Sequence, residues 1–184
     1  GLKVVVPSTP YDTKGLLIQS IRDNDPVIFL EHKNLYGFEG EVPEQSYAIP
    51  FGEANVVRDG KTVSIVTYGL MVHRALDAAA TLAKEGIEAE VIDLRTLSPL
   101  DIDTVLESVG KTGRLVCVDE ANPRCSIAAD VSAQVAQQAF RSLKGPIEMV
   151  TAPHTPVPFS PVLEDLYIPS AAQIAAAAKR TMVH

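Results

Sequence analysis

The chain of 184 residues lacks tryptophan and has only two cysteines, Cys117 and Cys125, which do not form a CxxC pair. Two cysteines are too few for a disulfide framework, and Cys117 lies inside an apolar run, so we predict a buried, reduced thiol and a cytoplasmic location. No apolar run approaches the roughly 20 residues that span a bilayer, which excludes a transmembrane helix. A secretory signal pattern is also missing.

Basic clusters and the common cofactor motifs are missing as well. The 16 Lys and Arg are outnumbered by 23 Asp and Glu, and a net charge of −7 argues against a nucleic-acid partner, which needs clustered cations for its phosphates. There is no Gly-x-Gly-x-x-Gly, Walker loop, Gly-x-Ser-x-Gly or His-Glu-x-x-His. The four histidines lack the spacing of zinc ligands: His32, His73, His154 and His184.

What the sequence does contain is a regular alternation of apolar strands and amphipathic helices. From residue 61 onward, continuous apolar runs are separated by helical segments of roughly 10–15 residues, as in a parallel sheet that is covered on both faces. This pattern predicts a three-layer α/β/α fold with a mostly parallel sheet. The predicted strands are 62–67, 90–94, 114–118 and 147–150.

Three regions differ in composition. Residues 1–35 read as strand, helix and strand, the length of a βαβ unit, with Thr9 or Asp12 as the helix cap. Residues 36–60 carry glycines and prolines without a period, which predicts a linker with a short strand near 53–58. Residues 61–184 form the main α/β domain. The chain opens at Gly1, without Met and inside a predicted strand, so we expect it to be part of a longer polypeptide.

Loops at the carboxyl ends of parallel strands build sites, and here those loops are 68–72, 93–98, 119–125 and 151–159. His73 is either a polar residue at a helix start or a contact to a cofactor or substrate. His154, between two prolines, lines an interface or fills a loop. Asp119 and Glu120 are either solvated loop charges or paired catalytic carboxylates. The residues alone do not decide among these.

Several stretches together resemble one family. Residues 1–17, Ile21-Arg-Asp-Asn-Asp-Pro and Leu35-Tyr-Gly resemble the end of the pyrimidine-binding domain in beta subunits of thiamine-diphosphate-dependent 2-oxo-acid dehydrogenases. Thr67-Tyr-Gly-Leu-Met-Val-His and Val91-Ile-Asp-Leu-Arg-Thr-Leu-Ser-Pro resemble the transketolase C-terminal domain that follows it. On this resemblance, residues 1–35 are a remnant of the pyrimidine-binding domain. The ending His154-Thr-Pro-Val-Pro-Phe is more similar to acetoin dehydrogenases than to the pyruvate and branched-chain enzymes.

The resemblance implies thiamine diphosphate and magnesium in the full enzyme, held mostly by the alpha subunit and by residues upstream of Gly1. The family's activating glutamate and catalytic histidine also lie upstream, so no catalytic residue is expected in this segment, and Glu31 and His32 are not substitutes. A potassium ion bound by backbone carbonyls maps onto an incomplete site, with a plain helix C-cap as the alternative. Its residues are Ser20, Ile21, Asp23 and Asp25.

In the family, two alpha and two beta chains form a heterotetramer that cleaves a C–C bond of acetoin or a 2-oxo acid and passes the acyl unit to lipoyl groups. The C-terminal domain contacts the second beta subunit and docks a basic domain of the lipoyl-transferase core, for which His154, Glu164 and Asp165 are the candidate interface residues. The segment alone is expected to be inert. The alternatives are a stand-alone transketolase-like enzyme and a purely non-catalytic assembly module.

Overall fold

The structure is a computed structural model that describes residues 1–183; His184 lies outside the described residues. The strands are β1 Lys3–Val5, β2 Val27–Phe29, β3 Asn55–Arg58, β4 Val63–Thr67, β5 Ala89–Asp93, β6 Thr96–Ser98, β7 Leu115–Asp119 and β8 Glu148–Thr151. The helices are α1 Pro10–Arg22, α2 Leu70–Ala83, α3 Ile102–Thr112, α4 Ile127–Gln138, α5 Pro161–Tyr167 and α6 Ala171–Arg180. Within residues 1–183, no helix is long and apolar enough to cross a membrane.

The larger sheet has five strands in the order β3-β5-β4-β7-β8. Its β5-β4, β4-β7 and β7-β8 pairs are parallel, and β3 runs antiparallel along β5 at one edge. Side chains alternate between the two faces, as a strand requires. Ile65 of β4 packs in the cluster formed with α2 and α6, while its neighbour Val66 packs in the cluster formed with α3 and α4. The predicted three-layer α/β/α fold is therefore confirmed.

Two helices of the C-terminal domain begin directly after a residue whose side chain caps them. Asp101 accepts a hydrogen bond from the Thr104 N–H at 3.1 Å and begins α3, and Ser126 accepts from the Ala129 N–H at 3.2 Å and begins α4. Each cap satisfies a backbone N–H that has no partner inside the helix. In the N-terminal region Thr9, one of the two predicted candidates, caps α1.

The smaller sheet has the order β2-β1-β6. β1 and β2 are parallel and flank α1, as the βαβ pattern predicts. The third strand, β6, comes from the C-terminal domain and pairs antiparallel with β1, with Val4 opposite Ser98 and Val5 opposite Thr96. The sequence predicts a loop over 93–98 here, because three residues are too few to show a strand period. The two regions thus share backbone hydrogen bonds.

Residues 36–54, which connect the two sheets, lie across α1, and we call this segment the strap. Tyr47 stacks on Tyr11 with ring centroids 4.6 Å apart, and the Ile49 N–H donates to the Gly15 carbonyl at 3.2 Å. A Cβ on Gly15 would lie 2.6 Å from the Ile49 side chain, so only glycine allows this approach. The strap continues into β3, the short strand predicted near 53–58, so the larger sheet starts at Asn55, inside the predicted linker.

Candidate functional site

The polar side chains that follow the strands converge where the N-terminal region meets the C-terminal domain. The first group is a buried set that we call the Asp93 cluster: Ser8, Asp12, Asp93 and Arg95. Ser8 and Asp12 flank the start of α1, whereas Asp93 and Arg95 end β5 and begin the loop behind it. The cluster therefore joins two regions that are far apart in the sequence.

Asp93 is fully buried and, among residues 1–183, has no cationic side chain paired with it. Its Oδ2 accepts a hydrogen bond from the Ser8 hydroxyl, and its Oδ1 accepts one from the Arg95 N–H at 3.0 Å. Burial raises the pKa of the Asp93 carboxyl to about 7, and the two hydrogen bonds act in the opposite direction. Burial thus disfavours the charged form of the Asp93 carboxyl, and this raised pKa accompanies its position between the two regions.

The Arg95 side chain forms an ion pair with Asp12, the other carboxylate of the cluster. Its Nη2 lies 2.6 Å from Oδ1 of Asp12; the Asp12 side chain is 3% exposed and the Arg95 side chain 13%. Oδ2 of Asp12 accepts from the Thr9 hydroxyl at 2.5 Å. The backbone of Arg95 has φ 57°, in the left-handed region, and its carbonyl accepts from the Val6 N–H at 2.8 Å. This conformation, which costs on the order of 1–3 kcal/mol for a non-glycine residue, persists because bonds from both regions hold it.

His73 contacts the N-terminal region from the first turn of α2. Its Nε2 lies 2.8 Å from the Ser8 carbonyl oxygen, and its ring lies 4.5 Å from that of Phe38. A carbonyl oxygen only accepts, so Nε2 carries the proton. The described contacts of His73 join the two regions, a role that differs from both of those considered from the sequence.

Asp119 and Glu120 form a second junction at the end of β7. Asp119 is 1% exposed, and its Oδ1 accepts from the Tyr68 hydroxyl at 2.6 Å and the Ala121 N–H at 2.8 Å. Burial raises the pKa of Tyr68. Asp119 is therefore not a solvated loop charge, because it anchors the loop after β7 by hydrogen bonds.

Glu120 faces the N-terminal region instead. Its Oε2 lies 3.0 Å from Nε2 of His32, and Nδ1 of His32 accepts from the Asn34 N–H at 3.2 Å. Because Nδ1 accepts, the proton of a neutral His32 resides on Nε2 and points at Glu120. Burial raises the pKa of Glu120, and His32 opposes that shift. This pair is another contact between the two regions.

A cavity of about 500 Å³ lies beside these contacts. Its lining is mainly apolar, from one face of α1 and the residues after β2: Leu17, Ile18, Ile21, Leu35, Tyr36, Phe38 and Val42. Lys14 is its only Lys or Arg, and its ammonium donates to the Pro43 and Glu44 carbonyls. Glu31 accepts from the Tyr36 hydroxyl at 3.1 Å. The lining does not fit the diphosphate of thiamine diphosphate, because Lys14 already donates to two carbonyls and no second Lys or Arg lies in the lining.

The predicted potassium residues lie at the end of α1. Asp23 is the C-cap, in an extended conformation, and Oδ1 of Asp23 accepts from the Asp25 N–H at 2.8 Å. The Lys3 ammonium contacts Asp23 at 2.7 Å and Asp25 at 2.9 Å, and lowers the pKa of Asp23. Both carboxylates are thus paired with Lys3, so backbone carbonyls are the groups left to bind a cation. In residues 1–183, no group of three or more His, Cys, Asp or Glu is placed to hold a metal.

The predicted interface residues lie on a different surface. His154 and Asp165 are exposed and Glu164 is half-buried, in and just before α5. Several large apolar side chains are exposed around them: Val157, Phe159, Val162, Leu163 and Leu166. We call residues 153–167 the α5 surface. Phe159 is 100% exposed, which is unusual for a phenylalanine.

Comparison with known families agrees with this layout. Residues 52–174 match the family described as transketolase, C-terminal domain. The chain belongs to this family. Residues 1–39 match the transketolase pyrimidine-binding domain, so a transketolase C-terminal domain follows the end of a pyrimidine-binding domain in the same chain. The resemblance noted in the sequence is confirmed.

Among curated proteins, the chain is 85% identical over 182 residues to the acetoin:2,6-dichlorophenolindophenol oxidoreductase subunit beta of Cupriavidus necator, covering 99% of this chain and 54% of the relative. It is 53% identical to the pyruvate dehydrogenase E1 component subunit beta of Bacillus subtilis, covering 99% of this chain and 56% of the relative. The chain therefore spans about half the length of the curated relatives it matches.

A solved structure described as a split-gene transketolase, inactive beta4 tetramer, has the same fold. It superimposes with a TM-score of 0.81 at 26% identity, over 98% of this chain and 57% of its own. The transketolase fold thus extends through both sheets and the strap.

The Asp93 cluster was not predicted as a unit. The loop 93–98 was selected by its place after a strand, which was the only available signal. The partners Ser8 and Asp12 come from the other region, and no local pattern links them to Asp93.

Proposed function

We propose that this chain is part of the beta subunit of a thiamine-diphosphate-dependent acetoin dehydrogenase, which cleaves a C–C bond and passes the acyl unit to lipoyl groups. One observation carries the proposal: 85% identity over 99% of the chain with a beta subunit named for acetoin, against 53% with one named for pyruvate dehydrogenase. This difference favours acetoin over pyruvate and branched-chain 2-oxo acids as the substrate.

The proposed role of this segment is to hold the two domains in position, and not to supply catalytic groups. We assign residues 1–35 to the pyrimidine-binding domain, 36–60 to the linker and 61–184 to the transketolase C-terminal domain; the family matches at 1–39 and 52–174 support this division. The contacts of the Asp93 cluster and the His32–Glu120 pair hold residues 1–35 on the C-terminal domain. A fixed orientation of these domains sets the geometry of a cofactor site built on the first.

Thiamine diphosphate supplies, when bound to the whole enzyme, the nucleophilic carbon that attacks the substrate carbonyl. Its magnesium is proposed to bind on the alpha subunit. Potassium is proposed to bind the backbone carbonyls of Ser20, Ile21, Asp23 and Asp25, because the chain leaves its helical path at Asp23 and exposes the carbonyls of the last turn. None of these ions or groups is proposed to bind the apolar cavity.

The proposed partners are an alpha subunit, a second beta subunit and the lipoyl-transferase core. The α5 surface supports an interface, because it exposes five large apolar side chains within a span of ten residues, 157–166. Glu164 and Asp165 add negative charge to the same helix, which suits a basic binding domain. His154 lies at the start of this surface, where the chain is extended between prolines.

Removing the charge of the α5 surface is expected to slow association with a basic binding domain. The double variant Glu164→Gln/Asp165→Asn should lower the association rate about tenfold at low ionic strength, since opposite charges steer the encounter, and salt should abolish the difference. Stopped-flow mixing of the beta-containing complex with that binding domain measures this rate. The matched control Asp103→Asn/Glu107→Gln removes the same charge from α3. An equal loss in the control contradicts the assignment of the surface.

Reconstitution tests the function itself. A full-length beta subunit that contains this sequence is assembled with its alpha subunit, and thiamine-dependent reduction of an artificial electron acceptor is followed with acetoin, pyruvate and a branched-chain 2-oxo acid. We expect acetoin to give the highest kcat/KM. A preference for pyruvate would overturn the substrate assignment, and no turnover with any substrate would favour the non-catalytic assembly module.

A second arm of that experiment tests the role of the segment. The 184-residue chain mixed with the alpha subunit and thiamine diphosphate is expected to give no turnover. Turnover in this mixture would contradict the proposal that the catalytic groups lie outside the chain. Ketol transfer between sugar phosphates would instead favour a stand-alone transketolase, although this chain is only 26% identical to the solved split-gene transketolase.

A further inference from the structure

The Asp93 cluster buries two carboxylates but only one cation. Asp12 is 2% exposed, Asp93 is 0% exposed, and the guanidinium of Arg95 lies against Asp12 at 2.6 Å. Asp93 is left with two neutral donors, the Ser8 hydroxyl and the Arg95 N–H. The cluster is therefore charge-balanced when Asp93 is protonated and carries an uncompensated buried negative charge when Asp93 is ionised.

The cluster lies on the contact between the two regions. Ser8 belongs to the N-terminal region, and its carbonyl also accepts the bond from His73 at 2.8 Å. The Val6 N–H, two residues earlier, donates to the Arg95 carbonyl at 2.8 Å. The charged and titratable groups around Asp93 are thus Asp12 on α1, Arg95 in its own loop and, through Ser8, His73 on α2.

We propose that Asp93 is a proton-binding site that controls how firmly residues 1–35 are held on the C-terminal domain. Proton uptake removes the uncompensated charge and strengthens the contact. Proton loss leaves two carboxylates beside one guanidinium and weakens it. The docking of the N-terminal region thereby responds to pH through a single buried acid.

The direction of the effect follows from linkage. Burial raises the pKa of Asp93 to about 7 in the folded chain, above the ordinary value of 3.8. Between these values the folded chain binds one proton more than the unfolded chain, so stability falls as pH rises from about 4 to 7 and levels off above. In that window the folding equilibrium constant changes by up to about tenfold per pH unit.

The variant Asp93→Asn removes the titration and keeps the shape of the side chain. Urea unfolding of the 184-residue chain is measured from pH 4.5 to 8.5 for wild type, Asp93→Asn and the exposed control Asp103→Asn. We expect the wild type to lose stability relative to Asp93→Asn, by up to tenfold in the folding constant per unit below pH 7, with no such change relative to Asp103→Asn. Parallel pH profiles for wild type and Asp93→Asn would overturn the proposal.

Two further measurements apply even where Asp93→Asn does not fold. The carboxyl carbon resonance of Asp93 in the wild type should titrate near neutral pH, and a midpoint below 5 would overturn the proposal. Amide exchange at Val6 should report weaker protection at pH 8 than at pH 6, after correction for intrinsic exchange. Ser8→Ala removes a donor to the ionised carboxylate, so it should move the Asp93 midpoint upward; an unchanged midpoint contradicts the geometry described for this site.

Discussion

Replacing Arg95 by methionine is expected to lower the free energy of unfolding by about 3–5 kcal/mol. The substitution keeps the apolar stem but leaves Asp12, which is 2% exposed, buried beside no cation. Breaking a buried ion pair by removing one partner has this cost because the remaining charge is desolvated and uncompensated. Urea unfolding at pH 7.5 measures it.

The matched control for this prediction is Arg141→Met, at an exposed arginine of the turn after α4. It should change stability by less than about 0.5 kcal/mol, as surface substitutions usually do. The double variant Arg95→Met/Asp12→Leu should recover much of the loss, since no buried charge remains on that side of the cluster. A loss below about 1 kcal/mol for Arg95→Met alone would show that solvent reaches the pair.

Replacing Gly60 by alanine is the second change that we expect to lower the free energy of unfolding strongly. A Cβ at this position would overlap backbone atoms of Ala89 and Glu90 at the start of β5. Backbone of a central strand cannot give way as a flexible side chain can, so Gly60→Ala should cost about 3 kcal/mol or lead to a rearranged edge of the sheet. The midpoint of urea unfolding checks this.

Gly110→Ala makes the same chemical change where there is room. Gly110 is exposed within α3, and apart from its chain neighbours and the backbone of its own helix no described atom lies within 4 Å of the added Cβ. Alanine is favoured over glycine inside a helix by about 0.5–1 kcal/mol, so this variant should be more stable than the wild type. If both glycine variants shift stability in the same direction, the contact described at Gly60 is not the cause.

The predictions at Arg95 and Asp93 concern the joint between the two regions rather than a set of catalytic groups. Arg95 and Asp93 belong to the transketolase C-terminal domain, and their partners belong to the pyrimidine-binding region. In the proposed enzyme, a rigid joint matters because the cofactor needs its surroundings held to within a fraction of an ångström. The variants therefore have a second expected consequence in the assembled enzyme, a lower kcat without new chemistry.

Much of the α/β layer could be predicted from the chain. The strands 62–67, 90–94 and 114–118 were predicted within a residue of β4, β5 and β7, because continuous apolar runs between amphipathic helices are typical of buried parallel strands. Thr9, one of the two predicted caps, does cap α1, since a cap and its helix are neighbours in sequence. Such signals are local and survive without knowledge of the fold.

Other residues were ambiguous for a physical reason. Asp119 could be a solvated charge or a catalytic carboxylate, and its burial contradicts the first: its oxygens accept bonds from Tyr68 and from backbone N–H groups. Burial depends on what packs over a residue, which the local sequence does not contain. The same holds for His73, whose partner Ser8 follows a strand of the other sheet.

By itself, the sequence determined the alternation of strands and helices, the family and the order of its two domains, because periodicity, caps and motifs are written along the chain. Only the tertiary structure decided that β6 crosses to the smaller sheet, that the strap lies on Gly15 and that two carboxylates are buried beside one guanidinium. Each of these depends on groups that folding brings together from distant positions, and the energy of a buried charge is set by those neighbours.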